Sequence, residues 1–151
     1  MEAVILMGIQ GSGKSTFYER NFASTHLRIS MDLAGTRARE IRLMEECLRT
    51  KTPFVVDNTN SRIQQRRTFI AGARRAGFRV TGYYFPPDIK AALSRNAGRL
   101  GKARVPVPGI YRTLKYFQEP KLEEGFDELW EVEISGAEFV VRKRPDSAVQ
   151  S

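Results

Sequence analysis

The stretch Gly8-Ile9-Gln10-Gly11-Ser12-Gly13-Lys14-Ser15 constrains this chain more than any other, because it fits G-x-x-x-x-G-K-[ST]. Ala3 to Met7 before it is a wholly apolar run, as expected of a parallel strand buried on both faces. Lys14 to Asn21 after it reads as the first turns of a helix. Gly8, Gly11 and Gly13 permit backbone angles that a Cβ would forbid, so successive N–H groups can converge on phosphate oxygens. The helix behind them turns its positive dipole end to the same anion. Lys14 would then reach the β and γ phosphates, Ser12 and Thr16 would join the cradle, and the Ser15 hydroxyl would hold Mg²⁺. A strand, a glycine-rich loop and a helix in this order imply a site for ATP.

A chain of 151 residues with 41% apolar content suits one domain with a sizeable core. The formal charge of +8 raises the case for a polyanionic partner, because clustered Arg and Lys supply sequence-independent affinity for phosphates. The single Cys47 excludes an intramolecular disulfide framework and a zinc set, and its spacing from Ile41, Met44 and Leu48 puts it in a helix core. No apolar run has membrane-spanning length, and the start of the chain shows no basic leader. The expected address is therefore the cytosol, or a nucleus, with no membrane partner.

Strand and helix signals alternate along the chain. Leu27 to Ser30 reads as a second strand leading to Asp32, and Thr36 to Thr50 as an amphipathic helix. Phe54 to Val56 forms the next strand. Ser61 and Gln64 have capping-box spacing for a helix that ends near Ala76 and is closed by Gly77. Phe78 to Phe85 is a fourth strand, Asp88 opens a helix, and Leu100 to Pro108 is a basic loop before a helix over Gly109 to Gln118. Leu129 to Ile134 and Phe139 to Val141 close the pattern as a hairpin. This alternation predicts an α/β chain: a three-layer P-loop NTPase fold with a mostly parallel central sheet and a helical or loop lid. One domain is expected over residues 1–144, with a flexible tail over 145–151.

Asp32 falls just past the carboxyl end of the second strand, the edge where open α/β sheets bind ligands. It suits a base for an acceptor hydroxyl attacking a γ-phosphate, and equally a helix N-cap. Asp57 ends an apolar strand as a Walker B acid does, near metal and phosphate, while Asn58 and Asn60 suit the turn that follows. Arg95 and Arg99 lie four apart on one helix face, and Lys102 and Arg104 continue into the glycine- and proline-punctuated loop. Such a group would close over ATP and bring charge to the transferring phosphoryl group. Arg62, Arg66, Arg67, Arg74, Arg75 and Arg79 form a second basic set suited to acceptor phosphates. His26 has no neighbours that mark it as a ligand.

Taken together these residues resemble the kinase domain of the polynucleotide 5′-kinase/3′-phosphatases, most closely the animal-type enzymes. Asp32-Leu33-Ala34-Gly35-Thr36-Arg37-Ala38-Arg39 is similar to that family's Asp-x-x-Gly-Ser-x-x-Arg. Asp57-Asn58-Thr59-Asn60 and the helix after it match as well. So do Tyr111-Arg112 through Phe117-Gln118-Glu119-Pro120, and Leu122-Glu123-Glu124-Gly125-Phe126. The resemblance runs over essentially the whole chain. It implies transfer of the ATP γ-phosphate to the 5′-hydroxyl of DNA or RNA, with Lys14 and Ser15 at phosphate and Mg²⁺ and Asp32 as general base. Arg99 becomes the lid arginine with Arg95 beside it, and Arg39, Asp57, Thr59 and Asn60 become acceptor-side residues.

Two departures shape the expectation. Met31 stands where the family often carries Arg before the catalytic Asp, and no phosphatase-type Asp-x-Asp-x-Thr or phosphopeptide-binding segment is present. The resemblance therefore implies a kinase alone, working beside separate phosphatase or ligase partners. Two other readings share the scaffold: a kinase of a small-molecule or aminoacyl-RNA hydroxyl, and a nucleotide-dependent binding module without transfer. The abundance of arginine favours a polynucleotide over a small acceptor, and a carboxylate at Asp32 favours transfer over mere binding.

Overall fold

Ala3 to Met7 are each 1% exposed or less, as a continuous apolar run demands, and they lie in the strand from which the sheet is built outward. The computed structural model describes residues 1–144, apart from the side chain of Lys102; the expected tail over 145–151 lies outside the described residues. Strands β1 (Glu2–Met7), β2 (Leu27–Ile29), β3 (Phe54–Asp57), β4 (Arg79–Tyr84), β5 (Glu128–Ser135) and β6 (Glu138–Lys143) form one sheet. Their order is β2-β3-β1-β4-β5-β6. All neighbours are parallel except β5 and β6, which form the antiparallel hairpin read from the sequence.

Helices α1 (Lys14–Asn21), α2 (Met31–Ala34), α3 (Arg37–Thr50), α4 (Ile63–Arg75), α5 (Ile89–Ala97) and α6 (Val107–Tyr116) complete the fold, with 3₁₀ turns at Gly101–Ala103 and Leu122–Glu124. Alternation along the strands sorts side chains into two layers. Ala3, Ile5 and Met7 join Met44 and Cys47 of α3 and Phe69, Ile70 and Ala73 of α4. Val4 and Leu6 face the other way, onto Phe17, Tyr18 and Phe22. The result is the expected three-layer, mostly parallel P-loop architecture. Cys47 is buried in the first layer, and burial pushes its thiol pKa up, as befits a core residue.

Local differences from the sequence reading have local causes. The four-residue α2 was not expected; Ser30 nucleates it by accepting the Leu33 N–H at 3.2 Å. The capping contact of α4 sits one residue later than its motif, with the Arg62 N–H donating to Gln65 Oε1 at 3.3 Å. α6 starts at Val107, inside the stretch expected to be loop, because Pro108 in a first turn gives up no needed N–H.

The basic set on α4 does not act as one surface. Arg66 is fully buried and makes a bidentate pair with Glu124, Nε to Oε1 at 2.8 Å and the second guanidinium nitrogen to Oε2 at 2.9 Å. Its remaining N–H donates to the Asn60 carbonyl at 2.8 Å. Arg74 and Arg79 pair with Asp127 and Glu128. Arg66 thus ties the late segment at Leu122–Glu124 to the turn after β3. Breaking a buried pair leaves an uncompensated charge, so Glu124→Ala should lower stability by about 3–5 kcal/mol. Arg49→Ala, which breaks the exposed pair with Glu46, should cost about 1 kcal/mol or less. Urea denaturation of the two variants checks the contrast.

Candidate active site

The loop Gly8–Gly13 is shaped by its glycines and by Lys14. Gly11 and Gly13 adopt φ of 78° and 95°, which side chains resist. A Cβ on Gly11 would stand 2.5 Å from the Ala92 carbonyl, so α5 packs directly against the loop only because that Cβ is missing. The Lys14 ammonium donates to the carbonyls of Gly8 at 2.9 Å and Ile9 at 3.0 Å, and to Ser12 Oγ at 3.3 Å. Burial pushes its pKa down to about 8; nearby Arg99 pushes the same way and Asp57 opposes it. An anion in the loop would reverse that pressure, since it favours the charged amine.

Asp57 ends β3 with its side chain 3% exposed. Its Oδ2 accepts from the Ser15 hydroxyl at 3.1 Å and from Arg28 Nε at 2.8 Å. Arg28 also donates to Ser15 Oγ at 3.1 Å. Among the described residues no group of three His, Cys, Asp or Glu could cage a metal. A hydroxyl beside one carboxylate is instead the hard-oxygen set that suits Mg²⁺ completed by nucleotide phosphates.

Asp32 sits in the first turn of α2, exposed at the mouth of the same cavity. Ser30, and not Asp32, performs the capping of α2. A buried network fixes α2 in place. Asn58 Oδ1 accepts the Met31 N–H at 2.9 Å, and its amide donates to Glu40 Oε2 at 2.6 Å. Glu40, fully buried, is neutralised by Arg37 at 2.7 Å.

The cavity, about 260 Å³, brings together Gly11, Ser12, Gly13, Lys14, Ser15, Asp32, Asp57, Thr59 and Arg99 from the expected set. Five expected residues lie elsewhere. The Gly8 N–H is spent on the Thr59 carbonyl at 3.0 Å, and Gly8 serves Lys14 through its own carbonyl. Thr16 is exposed on α1, outside the cavity wall. Arg95 donates to the Gly11 carbonyl at 2.9 Å and lines a neighbouring cavity of about 500 Å³ with Phe85, Pro86 and Ile134. Arg39 reaches back to the Ala34 carbonyl at 3.5 Å, and Arg37 lines the cavity in its place. Asn60, 2% exposed, cannot contact an acceptor: its amide ties the Leu6 carbonyl at 2.7 Å to that of Val56 at 3.4 Å.

Sequence reasoning missed Arg28, Arg37, Gln10 and Glu40. Parity was the available signal for Arg28, which pairs with Val55 and so shares a face with Asp57. Gln10 reaches Thr113 of α6 at 3.0 Å, a contact between residues 103 apart that no local pattern encodes.

Fold and site together define a P-loop domain of the kinase-like three-layer architecture, with a cavity shaped for nucleotide phosphates at the loop. The chain matches the AAA domain family over residues 27–120 and belongs to it. It is 28% identical over 135 residues to the bifunctional polynucleotide phosphatase/kinase of Schizosaccharomyces pombe, covering 87% of this chain and 33% of that protein. The putative bifunctional polynucleotide phosphatase/kinase of Acanthamoeba polyphaga mimivirus is 28% identical over 138 residues, covering 85% of this chain and 32% of that protein. The resemblance read from the motifs is thus found along most of the chain, which spans about a third of each relative's length. In fold it is similar to a gluconokinase from Sinorhizobium meliloti 1021, at TM-score 0.64 and 18% identity over 89% of this chain and 84% of that one. The Kti12 protein of Chaetomium thermophilum, solved with ADP-AlF3, gives TM-score 0.62 and 16% identity over 85% and 87%.

Two variants test the geometry. Lys14→Ala should abolish most nucleotide affinity in a titration with a fluorescent ATP analogue. Asn58→Ala should leave that affinity nearly intact yet slow turnover on the order of 10–100-fold, since it frees α2 to drift while sparing the loop.

Proposed function

We propose that this chain is a polynucleotide 5′-hydroxyl kinase, which transfers the γ-phosphate of ATP to the 5′-OH end of DNA or RNA. The observation that carries the reading is the shared cavity, in which the Asp32 carboxylate faces the loop that bears Lys14 and Ser15. Asp32, relieved of capping, accepts the proton of the attacking hydroxyl. Lys14 and the loop N–H groups hold the β and γ phosphates, and Arg99 balances charge on the transferring group. Ser15 and Asp57 would hold Mg²⁺, which would supply charge neutralisation to the phosphates. The cavity beside Phe85 and Ile134 suits the nucleoside, with Arg95 at its rim.

The acceptor side supports a polymer over a small molecule. Arg37 lines both the phosphate-loop cavity and a mixed groove of about 440 Å³ between α3 and α4, where Arg62, Gln64 and Thr68 stand beside the apolar Ile41 and Phe69. Beyond it the Arg62 guanidinium lies 5.1 Å from the ring centroid of Tyr116, which is 47% exposed. Basic groups leading to an open aromatic ring suit a single strand, whose phosphates need charge and whose bases stack. The names of the polynucleotide phosphatase/kinase relatives support the same acceptor. The reading includes separate phosphatase or ligase partners.

Labelled ATP, Mg²⁺ and a 5′-OH oligonucleotide should yield a labelled 5′ end; no transfer to DNA or RNA of any length would falsify the proposal. Asp32→Asn should retain nucleotide affinity and lose transfer, and unchanged turnover would remove Asp32 as base. The oligonucleotide KM should rise roughly tenfold or more between about 50 and 200 mM salt. A flat response would point to a small neutral acceptor.

A further inference from the structure

Arg28 stands at the one place where a P-loop site expects a metal. Its guanidinium bonds Asp57 Oδ2 at 2.8 Å and Ser15 Oγ at 3.1 Å, and Ser15 donates to that same Asp57 oxygen at 3.1 Å. Guanidinium, carboxylate and hydroxyl close a ring, and the two oxygens in it are the pair that suits Mg²⁺.

The fold puts Arg28 there. In β2 it lies between Leu27 and Ile29, in register with Val55, so it emerges on the α1 face beside Asp57. The ring of Tyr18 lies 6.0 Å from its guanidinium carbon, and Tyr18 is itself anchored through its hydroxyl to the His26 carbonyl at 2.6 Å. The Arg28 side chain is 23% exposed against 3% for Asp57, so its outer edge, with the bond to Ser15, opens to the cavity while the bond to Asp57 is partly buried. A carboxylate this deeply buried requires a positive partner, and Arg28 is its ion-pair partner among the described residues.

We propose that Arg28 is the resident counter-cation of the metal site, exchanged for Mg²⁺ when the metal–nucleotide complex enters. The proposal rests on the triphosphate reading of the loop. Asp57 Oδ2 already accepts from both Arg28 and Ser15, so a metal ion bound directly to that oxygen competes with the guanidinium for its lone pairs, and two cations on one oxygen repel. Direct binding of Mg²⁺ at Oδ2 therefore weakens or displaces the Arg28–Asp57 bond. Metal-free nucleotide, by contrast, meets a site whose carboxylate is already neutralised. The exchange lowers the difference between metal-free and metal-bound affinity that an unoccupied carboxylate would impose. Once displaced, the guanidinium remains on the cavity wall, where its charge faces phosphate.

The test is calorimetric titration with the non-hydrolysable analogue AMP-PNP, in Mg²⁺ and in EDTA, on wild type, Arg28→Gln and Arg28→Lys. The ratio of Mg²⁺ to EDTA affinity should rise roughly tenfold or more in Arg28→Gln, within the usual range for coupled sites. Arg28→Lys keeps charge but cannot bridge both oxygens, so it should fall between. An equal ratio in all three proteins would overturn the proposal while leaving the nucleotide reading intact. Wild type that binds AMP-PNP under neither condition would overturn both. Should Arg28→Gln not fold, nitrogen-15 NMR of the wild type decides. The Arg28 Nε–H resonance, assigned by its loss in Arg28→Lys, should shift when Mg²⁺ joins the AMP-PNP complex; a resonance that does not move overturns the exchange.

Discussion

A carboxylate at the carboxyl end of β3 cannot stay buried and charged without a partner, and much of the phosphate-loop side of this protein answers that demand. Asp57 is 6% exposed as a residue and belongs to a strand whose other members are apolar and fully buried. Water cannot solvate it, so protein must. The answer comes from both flanks, a hydroxyl from the first turn of α1 and a guanidinium from β2. Each of those elements is thereby fixed against β3 by a polar contact as well as by packing. The same contacts assemble two oxygen donors, the Ser15 hydroxyl and the Asp57 carboxylate, beside the phosphate loop.

The pattern recurs one turn further along. In Asp57-Asn58-Thr59-Asn60 each residue does a different task. Asn58 joins the backbone of α2 to buried Glu40, the Thr59 carbonyl accepts the Gly8 N–H, and Asn60 bridges β1 and β3 while its carbonyl accepts a hydrogen bond from buried Arg66. Asn60 holds φ at 45°, a left-handed conformation that Asn tolerates better than most residues. The tetrad is therefore a junction between the phosphate loop, α2 and the late Glu124 segment. Its selective value as a sequence motif comes from that structural work as much as from contact with a ligand.

This division explains what the sequence could reveal. β1, the glycine loop and the alternation of strands and helices were legible because they depend on local pattern: unbroken apolar runs, glycines at positive φ, and capping residues. Asp57 and Lys14 were legible for the same reason, since motif spacing fixes their placement. Asp32 was only half legible, because the serine that relieves it of capping sits two residues earlier and signals a helix too short to show periodicity. Arg37 and Arg39 could not be told apart, being two positions apart on one helix whose rotation depends on Glu40 burying beneath it. Arg66 carried no sign of its burial, because its partner is 58 residues away. Long-range charge compensation leaves no periodic trace.

The lid shows how such compensation can also limit movement. α5 is pressed on the loop at Ala92 and Gly11, and Arg95 grips the Gly11 carbonyl. Asn96, 2% exposed, then clasps the Val105 backbone with both ends of its amide, donating at 2.7 Å and accepting at 2.8 Å. The segment 97–104 is thus a short loop closed at its base by a side chain, and closing so short a segment costs little entropy. Arg99 lies within that closed loop and lines the cavity, so its reach is set by the clasp. α6 is held separately, by Thr113 on Gln10 of the phosphate loop. Both roots of the lid therefore end on the phosphate loop itself. The carbonyls of Gly8 and Ile9 that Lys14 holds lie within three residues of the Gln10 and Gly11 contacts that root the lid, so loop shape and lid position rest on one short stretch of backbone.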